Sequence, residues 1–265
     1  MKRGFIFLVL LFQFAGIGFS QVKTSAVSGD TINRTDKFNN KNGYWEEKIG
    51  DQTGKGFYAG GKRTGNWITV TNDNHLIKLE YYENGKRNGI VLNFDRRNRL
   101  TSQEFFKNDQ PEGLSIVYSM YNDFPISEIN YANGRKNGSS RLYYDNGKMQ
   151  EEASYLDDKK NGITTWYNKS GKKIAEYNYR NGLFEGIQKE FYENDSIQSI
   201  SGYSNNLLSG DYTEKYRNGK LKVTGKYVNG QKEGTWTEYD ETGKATVKTV
   251  FKAGKAVSTT PVKNK

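Results

Sequence analysis

Short stretches of the chain alternate between apolar and polar residues. From Leu221 to Tyr227 every second residue is leucine, valine, glycine or tyrosine, and the residues between them are lysine or threonine. The stretch from Ala245 to Phe251 follows nearly the same scheme. A period of two with one apolar side is typical of a β-strand with one buried face. Since no stretch after residue 20 has a convincing helical period, the pattern predicts strands throughout.

Turn residues separate these stretches at regular places. Tight hairpin turns require positive φ angles, which Asn-Gly pairs accept. Such pairs occur at Asn84-Gly85, Asn133-Gly134, Asn181-Gly182 and Asn229-Gly230. A second set of turn residues lies between them: Asn74, Asn98, Asn122, Gly147, Gly171, Asp195, Gly219 and Gly243. Two turns in each unit leave two strands of ordinary length, so each unit is predicted to be a β-hairpin.

The hairpin signal repeats along the chain. One glycine recurs every 22 to 25 residues, at Gly43, Gly65, Gly89, Gly113, Gly138, Gly162, Gly186, Gly210 and Gly234. We call these the marker glycines. An aromatic residue follows seventeen positions later in most units: Tyr82, Phe106, Tyr155, Tyr179, Tyr203, Tyr227 and Phe251, with Tyr131 one position further. The residue two positions before it is often small, as in Ala153, Ser201 and Gly225, which leaves room for a neighbouring ring.

These spacings predict an all-β protein, an elongated antiparallel sheet of about nine tandem hairpins of ~24 residues with about eighteen strands. A single hairpin cannot bury its apolar face, whereas stacked hairpins form a continuous sheet. We expect the array to span residues 43–257, after a polar linker at 21–42 and before a frayed C-terminal tail at 258–265. The repeat aromatics are expected to form the core, with a stacking platform for sugars as the alternative.

The first twenty residues have the three-part pattern of a signal peptide. Lys2 and Arg3 precede a nearly continuous apolar run from Phe5 to Phe14, and small residues lead to Ser20. A retained membrane anchor is the alternative, but the apolar run is short for a span of ~20 residues. The pattern predicts cleavage after Ser20 and export to the periplasm, the cell surface or the medium. No later segment is apolar enough to cross a membrane.

Composition argues against most kinds of active site. The chain has no cysteine, which rules out disulfides, thiol nucleophiles, thiolate metal sites and a lipid-modified N-terminal cysteine. His75 is the only histidine and lies in a predicted turn. No phosphate-binding glycine loop or metal-ligand spacing is present. We therefore predict no catalytic residues, no cofactor, no metal and no nucleic-acid partner.

Basic pairs precede several marker glycines, and the formal net charge of the chain is +10. The pairs are Lys62-Arg63, Lys86-Arg87, Arg135-Lys136 and Lys159-Lys160. Because they share one phase of the repeat, they are expected along one edge of the sheet, where they could bind an anionic lipid or glycan. The alternative is that they are solvated turn residues. Gln110-Pro111 and Leu207-Leu208 interrupt the row.

Two segments point to a known family. Tyr81-Tyr82-Glu83-Asn84-Gly85-Lys86 and Tyr227-Val228-Asn229-Gly230-Gln231-Lys232-Glu233-Gly234 resemble the MORN repeat in its bacterial variant form, and the resemblance covers about residues 43–254. Bacterial proteins with such repeats are often classed as YwqK-type antitoxin components, which implies protein binding and neutralisation of a toxin. Other MORN arrays imply membrane-associated scaffolding and binding of acidic lipids.

The sequence thus predicts a non-enzymatic, exported repeat scaffold that binds another protein at the cell envelope or outside the cell. One alternative is a binder of anionic lipid or cell-surface glycan through the basic edge. Another is an antitoxin-like protein that neutralises a toxin partner. An enzyme is the least favoured class, since almost all of the mature chain is repeat.

Overall fold

A computed structural model of the protein describes residues 32–122 and 124–263, so the predicted signal peptide lies outside the described residues. The described chain folds into β-strands and turns, and each strand pairs antiparallel with the strands that precede and follow it. In these two ranges no helix has the length and apolarity to cross a membrane. The predicted all-β, antiparallel hairpin array is confirmed.

The strand boundaries are as follows. In the first half the strands are β1 (Arg34–Thr35), β2 (Lys41–Ile49), β3 (Gln52–Ala59), β4 (Lys62–Thr71), β5 (Leu76–Glu83), β6 (Lys86–Phe94), β7 (Leu100–Lys107), β8 (Gln110–Pro111), β9 (Gly113–Tyr118), β10 (Pro125–Ala132) and β11 (Arg135–Tyr143). In the second half they are β12 (Met149–Leu156), β13 (Lys159–Lys160), β14 (Gly162–Tyr167), β15 (Lys173–Arg180), β16 (Leu183–Phe184), β17 (Gly186–Phe191), β18 (Ile197–Ser204), β19 (Leu207–Lys215), β20 (Leu221–Val228), β21 (Gln231–Tyr239), β22 (Ala245–Lys252) and β23 (Lys255–Pro261).

In three places two consecutive strands form one continuous line of chain that a single residue interrupts. Glu112 separates β8 from β9, Asn161 separates β13 from β14, and Glu185 separates β16 from β17. Both parts of each line pair with the same preceding strand. The interruption is a β-bulge next to the marker glycine, whose φ is +103° at Gly162 and +81° at Gly186. Glycine recurs there because other residues adopt such angles only with strain.

Two-residue turns form one edge of the sheet, which we call the tight-turn edge. Both turn residues have positive φ, as at Asn84 (50°) and Gly85 (83°), which is the geometry of a type I′ hairpin. The second turn residue donates its N–H to a carbonyl of the preceding unit, as Gly85 does to Arg63 at 2.9 Å. The same bond recurs at Gly61, Asp109, Gly134, Asp158, Gly182, Asn206, Gly230 and Gly254. These bonds join neighbouring hairpins along the edge.

Longer turns form the other edge. In the turn from Tyr144 to Lys148, the Tyr144 N–H donates to the Lys148 carbonyl and the Gly147 N–H donates to the Tyr144 carbonyl. Side chains then connect successive turns, since the Tyr144 hydroxyl donates to the Tyr167 carbonyl at 2.7 Å. Tyr192 and Tyr216 repeat this bond two and three units further on in the same phase, to Lys215 and Tyr239.

The repeat aromatics lie together on one face, which we call the aromatic face. Residues directly opposite each other in the ladder share a face, and Tyr82, Phe106, Tyr155 and Tyr179 each lie opposite a marker glycine. Buried apolar side chains on this face include Trp67, Val91, Ala153, Ala175 and Trp236. The core is therefore a single layer of side chains, as expected for a sheet that stacks hairpins.

The small residues before the repeat aromatics have the predicted role. A Cβ atom on Gly225 would lie 2.2 Å from the ring of Trp236, and one on Gly56 would lie 2.4 Å from Trp67. Neither glycine has a positive φ. Both therefore make room for an indole ring that packs flat on the backbone.

The two ends of the array differ from the sequence prediction. Part of the expected linker is structured, because β1 pairs with β2 and the Asn33 side chain bonds both backbone groups of Glu46, accepting from its N–H at 2.8 Å. Part of the expected tail is also structured, since residues 258–261 pair with β22. With each bulged pair counted as one line there are 20 strand lines, and β1 and β23 are the two beyond the prediction.

Candidate binding surfaces

The predicted basic pairs follow the turns of the tight-turn edge. Lys62, Lys86, Arg135 and Lys159 each begin the strand after a two-residue turn, and Arg63, Arg87, Lys136 and Lys160 come next. Consecutive strand residues point to opposite faces. The four pairs therefore lie along one edge of the sheet, with the first members on one face and the second members on the other.

The second member of each pair lies on the aromatic face, over a ring. The Arg63 guanidinium is 4.2 Å from the centroid of a Trp67 ring, and that of Arg87 is 3.9 Å from the centroid of Phe106. Lys136 and Lys160 lie in the same way over Tyr155 and Tyr179. Such cation–π contacts stabilise the folded chain by about 1 kcal/mol each.

Carboxylates also bind several of these cations. Arg63 lies 3.1 Å from Glu47, and Lys160 lies 2.9 Å from Glu151, whose side chain is almost completely buried. Burial alone would lower the pKa of Arg63, but hydrogen bonds to Tyr58, Tyr82 and Glu47 raise it above its ordinary value. Arg63 and Lys160 are therefore engaged in ion pairs within the protein.

Apolar residues take the same position in other units. Pro111, Phe184 and Leu208 each occupy the place of the second basic residue, and Phe184 packs 5.4 Å from Tyr203. A position that accepts arginine, lysine, phenylalanine and leucine against a ring is a core position. The second basic residues are therefore structural, with long aliphatic stems suited to this place.

The first members of the pairs remain candidates for anion binding. Lys62, Lys86, Arg135 and Lys159 are exposed and point to the face opposite the aromatic face. Neighbouring hairpins place them about 10 Å apart, which is two strand spacings. Gln110, Leu183, Leu207 and Gln231 hold the same position in the remaining internal units, so the row is discontinuous. Anion binding by these four residues stays a prediction.

The opposite face of the first four hairpins carries an apolar patch. A continuous cross-strand ladder runs from Ile68 through Leu79, Leu92 and Gln103 to Ile116. Nearer the tight-turn edge, Tyr44 lies opposite Phe57, and Ile90 lies opposite Phe105. We define the apolar patch as Tyr44, Phe57, Ile68, Leu79, Tyr81, Ile90, Leu92, Phe105 and Ile116. All are partly exposed, and Phe57 retains 48% of its accessible surface.

The same ladder becomes polar beyond β9. It continues as Glu128, Arg141, Glu152, Thr165, Glu176 and Lys189, and after Ile200 as Thr213, Thr224, Thr237 and Lys248. Arg141 bridges Glu152 at 3.0 Å and Glu128 at 3.5 Å. This part of the face is solvated in the way usual for a single-layer sheet. On this ladder the mostly apolar row therefore ends at Ile116, and exposed apolar residues of the later hairpins, such as Ile163, Ile187 and Leu207, lie nearer the tight-turn edge.

A cleft of about 410 Å³ lies on the aromatic face of the same hairpins. Its lining comes from β2 to β6 and comprises Ile49, Gln52, Gly54, Arg63, Thr69, Ile77, Lys78, Glu80, Tyr82 and Asn93. Lys78 and Glu80 form an ion pair of 2.9 Å inside it. Burial, and then the nearby Glu80 carboxylate, raise the pKa of Tyr82, so its hydroxyl stays protonated.

Groups suited to acid–base catalysis are sparse in the described chain. The pKa of Tyr177 is raised to about 12, chiefly by burial and then by the Glu190 carboxylate. His75 lies in an exposed turn, 3.3 Å from Asp73. Among residues 32–122 and 124–263 no three metal-ligating side chains come together. That the protein is not an enzyme stays a prediction.

Sequence reasoning did not find the apolar patch or the cleft. The signal for the patch was available, because Ile90-Val91-Leu92 is apolar at three successive positions and therefore on both faces. The cleft had no local signal, since its lining residues lie on five strands, β2–β6, and meet only through the registers of four strand pairs.

Comparison with known proteins identifies part of the array. None of the curated proteins matches the chain significantly. The family model of the MORN repeat variant matches five tandem stretches of 22 residues: 136–157, 160–181, 184–205, 208–229 and 232–253. Their starts are 24 residues apart, which is the period of the hairpins. The C-terminal half of the sheet is therefore similar to a tandem array of MORN repeat variants.

Proposed function

We propose that this protein is an exported, non-enzymatic scaffold whose apolar patch binds another protein. MORN repeats are generally protein- or membrane-binding repeats, which is consistent with a scaffold. The observation that carries the proposal is the change along this cross-strand ladder, which is mostly apolar from Ile68 to Ile116 and mostly polar from Glu128 to Lys248. Folding alone does not require this change, because antiparallel hairpins form in both regions.

The size of the patch supports a protein partner. Seven strands by four residues give on the order of 400 Å², comparable with the largest apolar patch of a typical monomer, which is often functional. Exposed lysines border it on the same face, and Lys48, Lys62, Lys86 and Lys107 form no salt bridge within the described residues. The expected partner therefore presents apolar side chains bordered by carboxylates.

Capture from a cell-envelope fraction tests the proposal. The mature chain, residues 21–265, is immobilised and washed at low and high salt, and bound proteins are identified by mass spectrometry. We expect one protein retained at high salt by the wild type and lost with Phe57→Ser/Phe105→Ser. Ile187→Ser is the matched control, because Ile187 is an equally exposed apolar residue outside the patch.

Three outcomes would contradict this proposal. Equal capture by the wild type and the double variant would remove the apolar patch from the function. Retention of lipid or polysaccharide alone, lost at high salt, would favour the anionic-ligand alternative. A captured toxin whose activity the chain suppresses would favour the antitoxin-like role that the resemblance implies.

Export is proposed from the pattern of residues 1–20 and has its own test. The full-length protein is expressed with a C-terminal tag in a bacterial host, and the cells are fractionated. We expect a mature N-terminus at Gln21 outside the cytoplasm. Uncleaved protein in the cytoplasm would overturn the location without affecting the binding surface.

A further inference from the structure

The cleft on the aromatic face exists because one ladder position has no side chain. Across the sheet, Gly54 lies opposite Glu47 on one side and Thr69 on the other, and Thr69 lies opposite Lys78. In the C-terminal hairpins the same ladder holds larger groups, with Leu142 beside Glu151, and Trp166 following it. A Cβ on Gly54 would lie 3.7 Å from the Trp67 ring, so this glycine leaves a space beside the indole that a larger side chain would enter.

The charges in the cleft are already balanced. Lys78 pairs with Glu80 at 2.9 Å, and Arg63 pairs with Glu47 at 3.1 Å. Glu80 is 6% exposed, so its carboxylate is held inside the protein by this pairing. An anionic ligand would have to compete with Glu80 and Glu47, and a cationic ligand with Lys78 and Arg63. The site therefore favours an uncharged ligand.

Uncharged hydrogen-bonding groups remain free in the same cleft. Within the described residues, the side chains of Gln52 and Thr69 make no hydrogen bond, and that of Asn93 uses only its N–H, which donates to Ser102 at 2.7 Å. The free groups include both donors and acceptors, as ligand hydroxyls require. Ile49 and Ile77 add apolar contact area.

We propose that this cleft binds an uncharged sugar residue of an oligosaccharide. A sugar ring offers hydroxyls at its rim and C–H groups on its faces, which matches amide, hydroxyl and isoleucine side chains around one space. The volume of about 410 Å³ is within the usual range of small-molecule sites. The proposal goes beyond protein binding by the apolar patch, which lies on the other face.

Binding of defined trisaccharides to the mature chain tests this inference. The probes are maltotriose, cellotriose and triacetylchitotriose, with trigalacturonate as the anionic comparison, measured by saturation-transfer NMR and titration calorimetry. Gly54→Val fills the cleft, and Gly54→Ala is its matched control, since a Cβ there meets Trp67 at an ordinary 3.7 Å. Asn93→Ala removes a hydrogen-bonding group without filling space, and Thr224→Ala is a control on the opposite face.

We expect at least one neutral trisaccharide to bind, with an affinity that falls about tenfold or more in Gly54→Val. Gly54→Ala and Thr224→Ala should retain binding, and Asn93→Ala should weaken it. Thermal unfolding shows that each variant is folded. The inference is overturned by no binding of any neutral probe at millimolar concentration, by unchanged affinity in Gly54→Val and Asn93→Ala, or by tighter binding of trigalacturonate. Protein capture through the apolar patch should be unaffected by Gly54→Val, which separates the two proposals.

Discussion

The N-terminal hairpins, β2–β9, and the C-terminal hairpins, β11–β22, share one backbone and distribute their side chains differently. In the N-terminal region the face opposite the aromatics is apolar and the aromatic face contains a polar cleft. In the C-terminal region the aromatic face has a smaller cleft, of about 110 Å³, and the central ladder of the opposite face is mostly polar. Turn chemistry and bulges therefore determine the sheet, and the residues between the turns are free to differ in function.

The largest effect that tests the shared backbone comes from the glycines beneath the indoles. Gly225→Val and Gly56→Val each place a side chain where Trp236 or Trp67 packs. We expect each to lower the free energy of unfolding by about 3 kcal/mol, since overpacking forces the ring away. Chemical denaturation measures the loss. A large loss in one region only would show that the two regions use different cores.

A second effect should distinguish the regions. Lys160→Leu leaves Glu151 buried and unpaired, so we expect a loss of roughly 2–3 kcal/mol. Arg87→Leu leaves Asp109 in solvent at 47% exposure, so the loss should stay below about 1 kcal/mol. Denaturation of both variants measures this. Because Leu208 already holds this position elsewhere, Lys160→Leu combined with Glu151→Leu should restore most of the stability; failure to do so would contradict a core role.

A smaller effect concerns the hydroxyl bonds between the long turns. Tyr216→Phe removes the bond from its hydroxyl to the Tyr239 carbonyl and should cost about 1 kcal/mol. Its N-terminal counterpart Asp95 makes no such bond to the next turn. Hydrogen exchange should show faster opening around Tyr239 in the variant. Unchanged exchange there would mean that the backbone bonds alone hold this edge.

The smallest effect is a pH dependence at the N-terminal end. Burial raises the pKa of Glu47, but hydrogen bonds from Lys41, Arg63 and Tyr58 lower it to a net value below the ordinary 4.5. The stability from this carboxylate is therefore present above pH ~4.5 and lost as the pH falls through its folded pKa. Hydrogen exchange of β2–β4 between pH 6 and 3 measures it. Glu47→Gln should reduce the dependence there and leave β20–β22 unchanged.

Much of the fold was predictable because its signals are local. The positive φ angles at Asn84 and Gly85 follow from their residue types. The small size of Gly225 predicts room for a neighbouring ring, and that ring is the indole of Trp236. The two faces of each basic pair could also have been foreseen, since Arg63 directly follows Lys62. Residues at neighbouring phases of the repeat have different surroundings, because successive side chains of a strand point to opposite faces.

The rest depends on contacts between residues distant in sequence. The cleft requires the registers of four strand pairs, and the first repeat interval, 22 residues rather than 24, shifts them relative to the later units. The bond from Asn33 to Glu46 spans thirteen residues and occurs once. A periodic pattern cannot reveal a feature that is not repeated, so both ends of the array had to be seen in three dimensions.

The Asn33 side chain makes the two outer edges of the sheet unequal. By bonding both backbone groups of Glu46, next to the two-residue strand β1, it occupies this part of the β2 edge as an additional strand residue would. At the other end, no described segment pairs with the outer side of β23. A hairpin duplicated at the C-terminus could pair with the outer edge of β23, whereas one inserted before β2 would first have to displace Asn33. Adding a hairpin is therefore easier at the C-terminal end of the array.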